Sequence, residues 1–318
     1  MKKSLSVIVP CFNEECVIME FHTRLTQVLI KMDDFCSQII FINDGSADRT
    51  LNLLKQIARE DEKVKIISFS RNFGHQKAVT AGINHCTTDF AVIIDADLQD
   101  SPDLIPEILE TAKKEQANVV YCVRKSRKGE SFFKKLSAKI FYRCLNFLSE
   151  TELPVDTGDF RLIDKSVICE FNRFHEKGKY IRGLISWVGF KQVPFYYERD
   201  PRFAGETKYS LAKMIKLATT SVLYFSKKPL KIATSLGFLS VLFALLYGMW
   251  SVLGKIFGFT HADTGWTSLV VLIVFFGGVQ LLTIGIIGAY IGNLFDEIKN
   301  RPEYIVEGKE NFDKKEEI

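Results

Sequence analysis

The sequence lacks the cysteine patterns of a zinc site or a disulfide framework. Its seven cysteines are an odd number, with no C-x-x-C pair and no histidine spaced for zinc. The net charge is only +4, from 42 Lys and Arg against 38 Asp and Glu, and no helix-turn-helix, finger or RNP-like pattern accompanies it. These absences predict a cytosolic-facing domain in reducing surroundings, with no nucleic acid as partner.

A secretory leader is also missing from the N-terminal residues. Lys2 and Lys3 give the N-terminus a basic start. The apolar run at residues 5–9 is too short for the hydrophobic region of a signal peptide and ends at Pro10. We therefore expect membrane targeting to be directed from another part of the chain.

Uncharged apolar residues are concentrated in two long runs near the C-terminus. Residues 232–253 and 269–291 contain no charged side chain, and each run exceeds the ~20 residues that cross the hydrocarbon core. The flanking cations are Lys227, Lys228 and Lys231 before the first run and Lys299 and Arg301 after the second, against Lys255 between them. The positive-inside rule therefore predicts a transmembrane hairpin with both flanks in the cytoplasm. A pair of buried core helices is the alternative.

Short β-rich runs alternate with amphipathic stretches in the N-terminal part. Strands are predicted at residues 5–9, 39–42, 64–68, 90–94 and 118–121, with helices at 15–32, 49–60 and 77–85. This order predicts an α/β fold with a doubly wound, mostly parallel sheet. Because ligands of such sheets bind beyond the carboxyl ends of the strands, the loops at 10–15, 43–48 and 95–103 should converge on one crevice.

Two later segments carry apolar stripes with lysines nearby. The first stripe consists of Phe132, Phe133, Leu136, Ile140, Cys144 and Phe147, and the second of Leu211, Met214, Ile215, Leu217, Ala218 and Val222. Both are predicted to be helices at the membrane interface. The alternative, an ordinary surface helix packed on the sheet, applies more to the first.

An acidic run, Asp95-Ala96-Asp97, directly follows the strand predicted at 90–94. One or two carboxylates together with phosphates hold a divalent cation that neutralises a departing nucleotide diphosphate. The run therefore predicts a Mg²⁺ or Mn²⁺ site, although carboxylates are also common where a strand turns into a loop. Asp44, after the second strand, can bond a base or ribose or form an Asx turn.

Several segments together carry a family resemblance. They read SVIVPCFNEE, FINDGSADRT, RNFGHQKAVTAGI, IIDADLQDSPD and GDFRLIDK, and the tail reads YIGNLFDEIKNRPEYIV. With the two apolar runs they resemble the family 2 glycosyltransferases over nearly the whole chain. The similarity is to the branch that makes polyprenyl-phosphate sugars, such as dolichol-phosphate mannose synthase and bacterial undecaprenyl-phosphate glucosyltransferases. It implies a GT-A-like catalytic fold.

The resemblance also implies roles for individual residues. Base and ribose would be bound by Pro10, Phe12, Glu14, Ile42 and Asp44. Nucleotide and metal would be held by Asp95, Ala96, Asp97 and Gln99, with the two aspartates and the glutamine as metal ligands. Phosphates would be bound by Arg124, Arg202 and Lys208. The segment at 202–208 resembles the family's R-x-x-G-E-S-K loop with Thr207 in place of serine, and Asn43 stands where many members have aspartate.

Asp159 is the residue expected at the transfer centre, with Asp97 as the second catalytic residue. The resemblance places an acidic residue near the acceptor, as a base or as a clamp on a sugar hydroxyl. The alternative role for Asp159 is a salt bridge to Arg161 or Arg182. His75 is interpreted as a solvent-facing loop histidine and is not included in the catalytic set.

These observations predict an inverting transfer of a hexose from a nucleotide sugar to a polyprenyl phosphate lipid. Glucose from UDP-glucose and undecaprenyl phosphate are the first choices, and N-acetylglucosamine, mannose from GDP-mannose or a modified arabinose are alternatives. A processive synthase is disfavoured because the chain has no further spans and no Q-x-x-R-W motif. A non-catalytic membrane scaffold remains a rival, opposed by the presence of Gln99, Arg202 and Lys208 beside the acidic run.

The predicted organisation has four parts. Residues 1–208 form a cytosolic catalytic domain, 209–231 a juxtamembrane amphipathic helix, 232–295 the two transmembrane helices and 296–318 a charged cytosolic tail. The protein is expected in the inner membrane, with the catalytic domain and both termini cytoplasmic. By analogy with relatives, a homo-oligomer is left open.

Overall fold

The computed structural model describes residues 2–124, 157–198, 227–257 and 265–312. The described residues belong to two compact units. Residues 2–124, 157–198 and 301–312 make up the first, and residues 227–257 and 265–300 the second. Both predicted interfacial helices, together with Arg202 and Lys208, lie outside the described residues.

The first unit is built on one eight-stranded sheet. Its strands are β1 (Lys3–Cys11), β2 (Phe35–Asn43), β3 (Val64–Phe69), β4 (Phe90–Ile93), β5 (Val119–Arg124), β6 (Thr157–Asp164), β7 (Gln192–Tyr197) and β8 (Val306–Glu310). They lie in the order β7-β5-β6-β4-β1-β2-β3-β8. The pairs β1–β2, β1–β4, β2–β3 and β5–β7 are parallel, whereas β6 and β8 run antiparallel to their neighbours. The predicted mostly parallel sheet is confirmed.

Helices cover both faces of this sheet. They are α1 (Ile18–Ile30), α2 (Thr50–Glu60), α3 (His75–Asn84), α4 (Ile105–Glu115), α5 (Lys165–Phe171) and α6 (Ile181–Trp187). Apolar side chains of α1, α2 and α4 pack with Val7 and Phe41 in one core. On the opposite face α3 approaches so closely that a Cβ at Gly82 would lie 2.3 Å from Ile8 Cγ2. Burial on both faces explains the continuous apolar runs of the central strands.

The strand β6 lies between β4 and β5, a position that the sequence does not predict. In the antiparallel ladder of β4 and β6, Ile93 pairs with Arg161. Continuing this register by two residues on each chain sets Asp95 against Asp159. The order of the strands thus brings together two carboxylates that lie far apart in the sequence.

Residues 301–312, which we call the C-terminal strap, complete the other edge of the sheet. Within the strap, β8 pairs with β3. The ring of Tyr304 stacks on Phe69 with centroids 4.9 Å apart, and Asn311 Nδ2 donates to the carbonyls of Ala58 and Val64 at 2.7 and 2.9 Å. The sequence predicts only a charged tail here, because the segment VEGKE has little β propensity.

The second unit contains two long helices, α7 (Lys228–Ile256) and α8 (Gly265–Ile298), which pack against each other. Within them, the most apolar 18-residue stretches of Lys228–Trp250 and Val271–Ile298 have mean hydropathies of 1.9 and 2.3. Their large apolar side chains point outward, as at Phe238 and Leu281, which are 70% and 72% exposed. By length and composition, both helices could cross a membrane.

Candidate functional site

The loops that follow β1, β2 and β4 meet at the carboxyl ends of these strands. Asn13 N donates a hydrogen bond to Ser46 Oγ at 3.0 Å, which joins the first two loops. The thiol of Cys11 lies at the base of the crevice, where burial and then the charges of Glu14 and Asp95 raise its pKa. The three acidic loops thus converge, as predicted.

Asp159 is held by two cationic side chains. Arg182 Nε donates to Asp159 Oδ1 at 2.8 Å, and a terminal guanidinium nitrogen of Arg182 donates to Oδ2 at 3.2 Å. The imidazole of His75, the first residue of α3, places Nε2 3.1 Å from Asp159 Oδ2. The same Nε2 lies 3.6 Å from Asp95 Oδ1. One imidazole therefore bridges the predicted metal side and the predicted transfer centre.

The charges of this cluster are strongly coupled. Burial raises the pKa of Asp95 to about 6, and the nearby Asp159 and Asp97 add to the rise against the opposing effect of His75. Burial alone would lower the pKa of His75, but Asp95 and Asp159 raise it to about 9. Burial opposes ionisation of Asp159, yet Arg182 and His75 hold its pKa well below the usual range. At neutral pH we therefore expect an ionised Asp159 beside an imidazolium.

The acidic run fits a divalent cation by its chemistry. Asp95 Oδ1 is buried and accepts no hydrogen bond from the described residues. Asp97 Oδ1 accepts from Gln99 N at 3.1 Å across Leu98, which has a φ of 57°. This left-handed conformation costs a non-glycine residue roughly 1–2 kcal/mol, and such strain is typical of functional loops. In the described part of the chain no three His, Cys, Asp or Glu side chains form a metal site together. A cation at this site would be held by Asp95 and Asp97, with Gln99 as the third predicted ligand, and phosphates would supply further oxygen ligands.

Arg124, the predicted phosphate ligand at the end of β5, lies beside this cluster. A Cβ at Gly158, next to Asp159, would come within 3.0 Å of the Arg124 guanidinium. Arg124 also forms a hydrogen bond with Tyr197, whose hydroxyl donates to the buried carboxylate of Asp100 at 2.5 Å. These contacts hold the Arg124 guanidinium near Asp159.

The predicted nucleotide residues lie at or just beyond the carboxyl ends of β1, β2 and β4. Pro10, Ile42 and Ala96 are buried, whereas Phe12 and Glu14 are partly exposed. The carboxylate of Asp44 accepts hydrogen bonds from the amides of Phe73 and Gly74, at 2.7 Å for the first and 2.9 Å for the second. Burial raises the pKa of Asp44, and these amides oppose the rise. A carboxylate has further lone pairs, so Asp44 can also accept from a ribose or base.

The sequence does not assign a functional role to two residues of this cluster, His75 and Arg182. His75 is wrongly interpreted there as solvent-facing, since only 31% of its side chain is exposed and both of its partners are carboxylates. Arg182 appears only as an alternative partner of Asp159, and the structure confirms that contact. The one available signal was the position of His75 directly after Gly74, at the start of a helix that faces the sheet.

A family model describes much of this chain. The model described as glycosyl transferase family 2 matches residues 6–171, just over half of the length. The chain belongs to the family 2 glycosyltransferases. The predicted family is thereby confirmed, and with it the predicted GT-A-like fold class.

Relatives of this glycosyltransferase are similar over nearly their whole length. The uncharacterized glycosyltransferase YkcC of Bacillus subtilis is 48% identical over 95% of this chain and 93% of its own. The prophage bactoprenol glucosyl transferase homolog of Escherichia coli is 37% identical over 95% of this chain and 98% of its own. A solved mannosyltransferase of Pyrobaculum calidifontis, PcManGT with GDP-Man and Mn²⁺, is 14% identical, with 93% and 88% coverage and a TM-score of 0.45. The predicted resemblance to the polyprenyl-phosphate branch agrees with the name of the Escherichia coli relative.

Proposed function

We propose that this glycosyltransferase transfers a hexose, with inversion, from a nucleotide sugar to a polyprenyl phosphate. Glucose from UDP-glucose and undecaprenyl phosphate are the preferred substrates. The observation that carries this proposal is that His75 lies within 3.6 Å of Asp95 and 3.1 Å of Asp159. The proposed metal-binding carboxylate is thereby close to the carboxylate proposed for the transfer centre. The choice of sugar and lipid is supported by relatives named bactoprenol glucosyl transferase, which are 35–37% identical to this chain.

The donor side of the site is formed by the acidic run. Asp95 and Asp97, with Gln99 beside them, would hold a Mg²⁺ or Mn²⁺ ion that supplies positive charge to the departing diphosphate. Phe12 and Glu14 follow β1 and are partly exposed, which supports their proposed contact with the base and ribose. These residues bind and orient the donor, so that its anomeric carbon faces Asp159.

The acceptor needs orientation more than deprotonation. A phosphate monoester has a second pKa near ~6, so the lipid phosphate is already largely a dianion at neutral pH. Arg182 and His75 hold the pKa of Asp159 well below its usual range, which makes Asp159 a weak base. We therefore infer that Asp159 acts as a positioning group, which keeps its two cations and a sugar hydroxyl in place.

In the transfer itself, a lipid phosphate oxygen forms a bond to the anomeric carbon from the face opposite the leaving group. The bond from that carbon to the diphosphate oxygen breaks, and its electron pair leaves with the nucleoside diphosphate. Two unit charges of like sign 4 Å apart repel by about 4 kcal/mol at an effective dielectric constant of ~20. Arg124, together with Arg202 and Lys208, is proposed to compensate this repulsion, because guanidinium groups bind phosphate in a bidentate way.

The hairpin α7–α8 is proposed to anchor the enzyme in the inner membrane. The excess of lysine and arginine outside the hairpin favours a cytoplasmic catalytic domain and cytoplasmic termini. The domain limits at 208, 231 and 295, and the interfacial helices, belong to the same proposal. This arrangement would bring a lipid phosphate at headgroup depth to a soluble donor.

The test is a donor screen on membranes that contain the full chain. Radiolabelled UDP-glucose, UDP-N-acetylglucosamine and GDP-mannose are each incubated with undecaprenyl phosphate, and label is counted in the lipid extract. We expect transfer from UDP-glucose, absent from membranes with Asp97→Asn. Transfer from another donor would change only the sugar assigned to this enzyme and would leave the proposed reaction in place. No transfer from any donor, with intact folded protein, would favour the non-catalytic scaffold.

A further inference from the structure

A buried ion pair joins the C-terminal strap to the segment before α6. Lys179 Nζ lies 3.0 Å from Glu303 Oε1, and the two side chains are only 5% and 12% exposed. By contrast, Lys55 and Glu310, another pair that involves the strap, are 43% and 47% exposed. Removing two charges from water is costly, so a buried pair is weak evidence for stability by itself. Its geometry is the more informative property.

Lys179 lies shortly before Arg182, the residue that forms two hydrogen bonds with Asp159. Three positions further along the chain, Arg182 donates to both carboxylate oxygens of Asp159. Between them, Ile181 N donates to Gln76 Oε1 at 3.1 Å, and Gln76 is the neighbour of His75 on α3. The start of α6 is therefore attached on one side to the helix that carries His75 and on the other to Glu303.

Glu303 is itself held rigidly. The next residue, Tyr304, stacks on Phe69, and its hydroxyl accepts from Asn84 Nδ2 at 3.1 Å. Ser70 N donates to Ile305 O at 3.1 Å, directly before β8 joins the sheet. With these contacts on its C-terminal side, Glu303 presents its carboxylate to Lys179 from a fixed backbone.

We propose that Lys179 and Glu303 are positioning residues of the transfer centre. Their ion pair fixes the first turn of α6, and so the direction from which Arg182 reaches Asp159. The kinetic part of this inference rests on the proposed function. The structural part, that Glu303 orders the first turn of α6, does not.

Alanine variants of the two residues test the pair. Misplacing a catalytic group by about 1 Å can cost ~100-fold in rate, so we expect Lys179→Ala and Glu303→Ala each to lower kcat by about 10- to 100-fold. The KM for the nucleotide sugar should stay near the wild-type value, because neither residue contacts the acidic run. The double variant should lose no more kcat than either single one, since both changes remove the same contact.

Glu310→Ala is the matched control, because it removes an exposed partner of Lys55 on the same strap and should leave kcat unchanged. Glu303→Gln, which keeps the shape of the side chain, replaces Glu303→Ala if that variant does not fold. An equal loss in Glu310→Ala, or losses that multiply in the double variant, would overturn the proposal. So would a fall in thermal stability with kcat unchanged.

Hydrogen–deuterium exchange gives a readout that does not depend on activity. Peptides that cover Ile181–Trp187 should exchange faster in Glu303→Gln than in wild type or in Glu310→Ala. If wild-type membranes transfer no sugar, the proposed function fails, and this exchange result still decides whether the strap orders α6. Unchanged exchange in Glu303→Gln would refute the role of the ion pair.

Discussion

Asp95 and Asp159 lie on either side of one imidazole nitrogen. His75 Nε2 is 3.6 Å from the first carboxylate and 3.1 Å from the second. The antiparallel register of β4 and β6 brings the two aspartates together, and α3 supplies the histidine. Each aspartate is predicted to serve a different substrate, so His75 links the proposed donor and acceptor sides.

Replacing His75 should slow transfer without weakening metal binding. In His75→Gln the cation between the two carboxylates is lost, so we expect kcat to fall by about 10- to 100-fold. The Mg²⁺ concentration for half-maximal activity should not rise, because a cation near Asp95 has been removed. Steady-state kinetics at varied Mg²⁺ measure both. His175→Gln, at an exposed position, is the control, and a weaker metal response in His75→Gln would contradict this assignment.

The acidic run should make activity depend on a divalent cation. We expect Asp97→Asn to lower kcat by at least about 100-fold, since one of the two predicted carboxylate ligands of the metal is lost. EDTA should abolish transfer by the wild type, and added Mg²⁺ or Mn²⁺ should restore it. Asp103→Asn, which changes an exposed carboxylate bonded to Ser101, should remain active. Full activity in Asp97→Asn, or in EDTA, would exclude the metal site.

The metal-free protein should lose stability as the pH rises from 6.5 to 9. The pKa of His75 is raised to about 9, so its stabilising contribution is complete below the unfolded value of about 6.5 and disappears as the pH reaches 9. The contribution is at most about 3 kcal/mol, and less because 31% of the side chain is exposed. Thermal unfolding of the full chain in detergent with EDTA measures it. A slope as steep in His75→Gln as in wild type would contradict the shift.

The turn after Asp44 should tolerate no side chain at Gly45. A Cβ there would lie 2.3 Å from the backbone carbon of Arg71, and the residue has a φ of +62°. We expect Gly45→Ala to destabilise the protein by about 2 kcal/mol or more. Gly308→Ala, where nothing lies within 4 Å of the added Cβ, should change stability little. Thermal unfolding compares the two, and equal stability would mean that the loop relaxes.

Local patterns in the sequence predict the core of the fold well and the pairing of its edges poorly. The strands at β1 to β5 are apolar runs bounded by turns, so their periodicity is sufficient to recognise them. The strand β6 begins at Thr157 and carries Asp159 and Arg161, and its position between β4 and β5 depends on pairing with residues distant in the sequence. The strand β8 is polar and forms because β3 offers it an unpaired edge.

The same contrast applies to the candidate site: some of its residues can be recognised from the local sequence and others only from the fold. Asp95 and Asp97 are recognisable because a buried strand ends directly before them. His75 carries no such local mark, since its partners are 20 and 84 positions away and its pKa is set by their charges. A lone histidine after a glycine becomes informative only when the sheet order is known.

The C-terminal strap also determines the stage of synthesis at which the sheet can be completed. Residues 306–310 leave the ribosome only after both apolar helices have been synthesised, whereas β3 has by then long been exposed. An unpaired strand edge invites association with other chains, and nascent domains generally fold in N-terminal to C-terminal order. The sheet of this glycosyltransferase thus acquires β8 only once both apolar helices have been made, which couples completion of the sheet to synthesis of the hairpin.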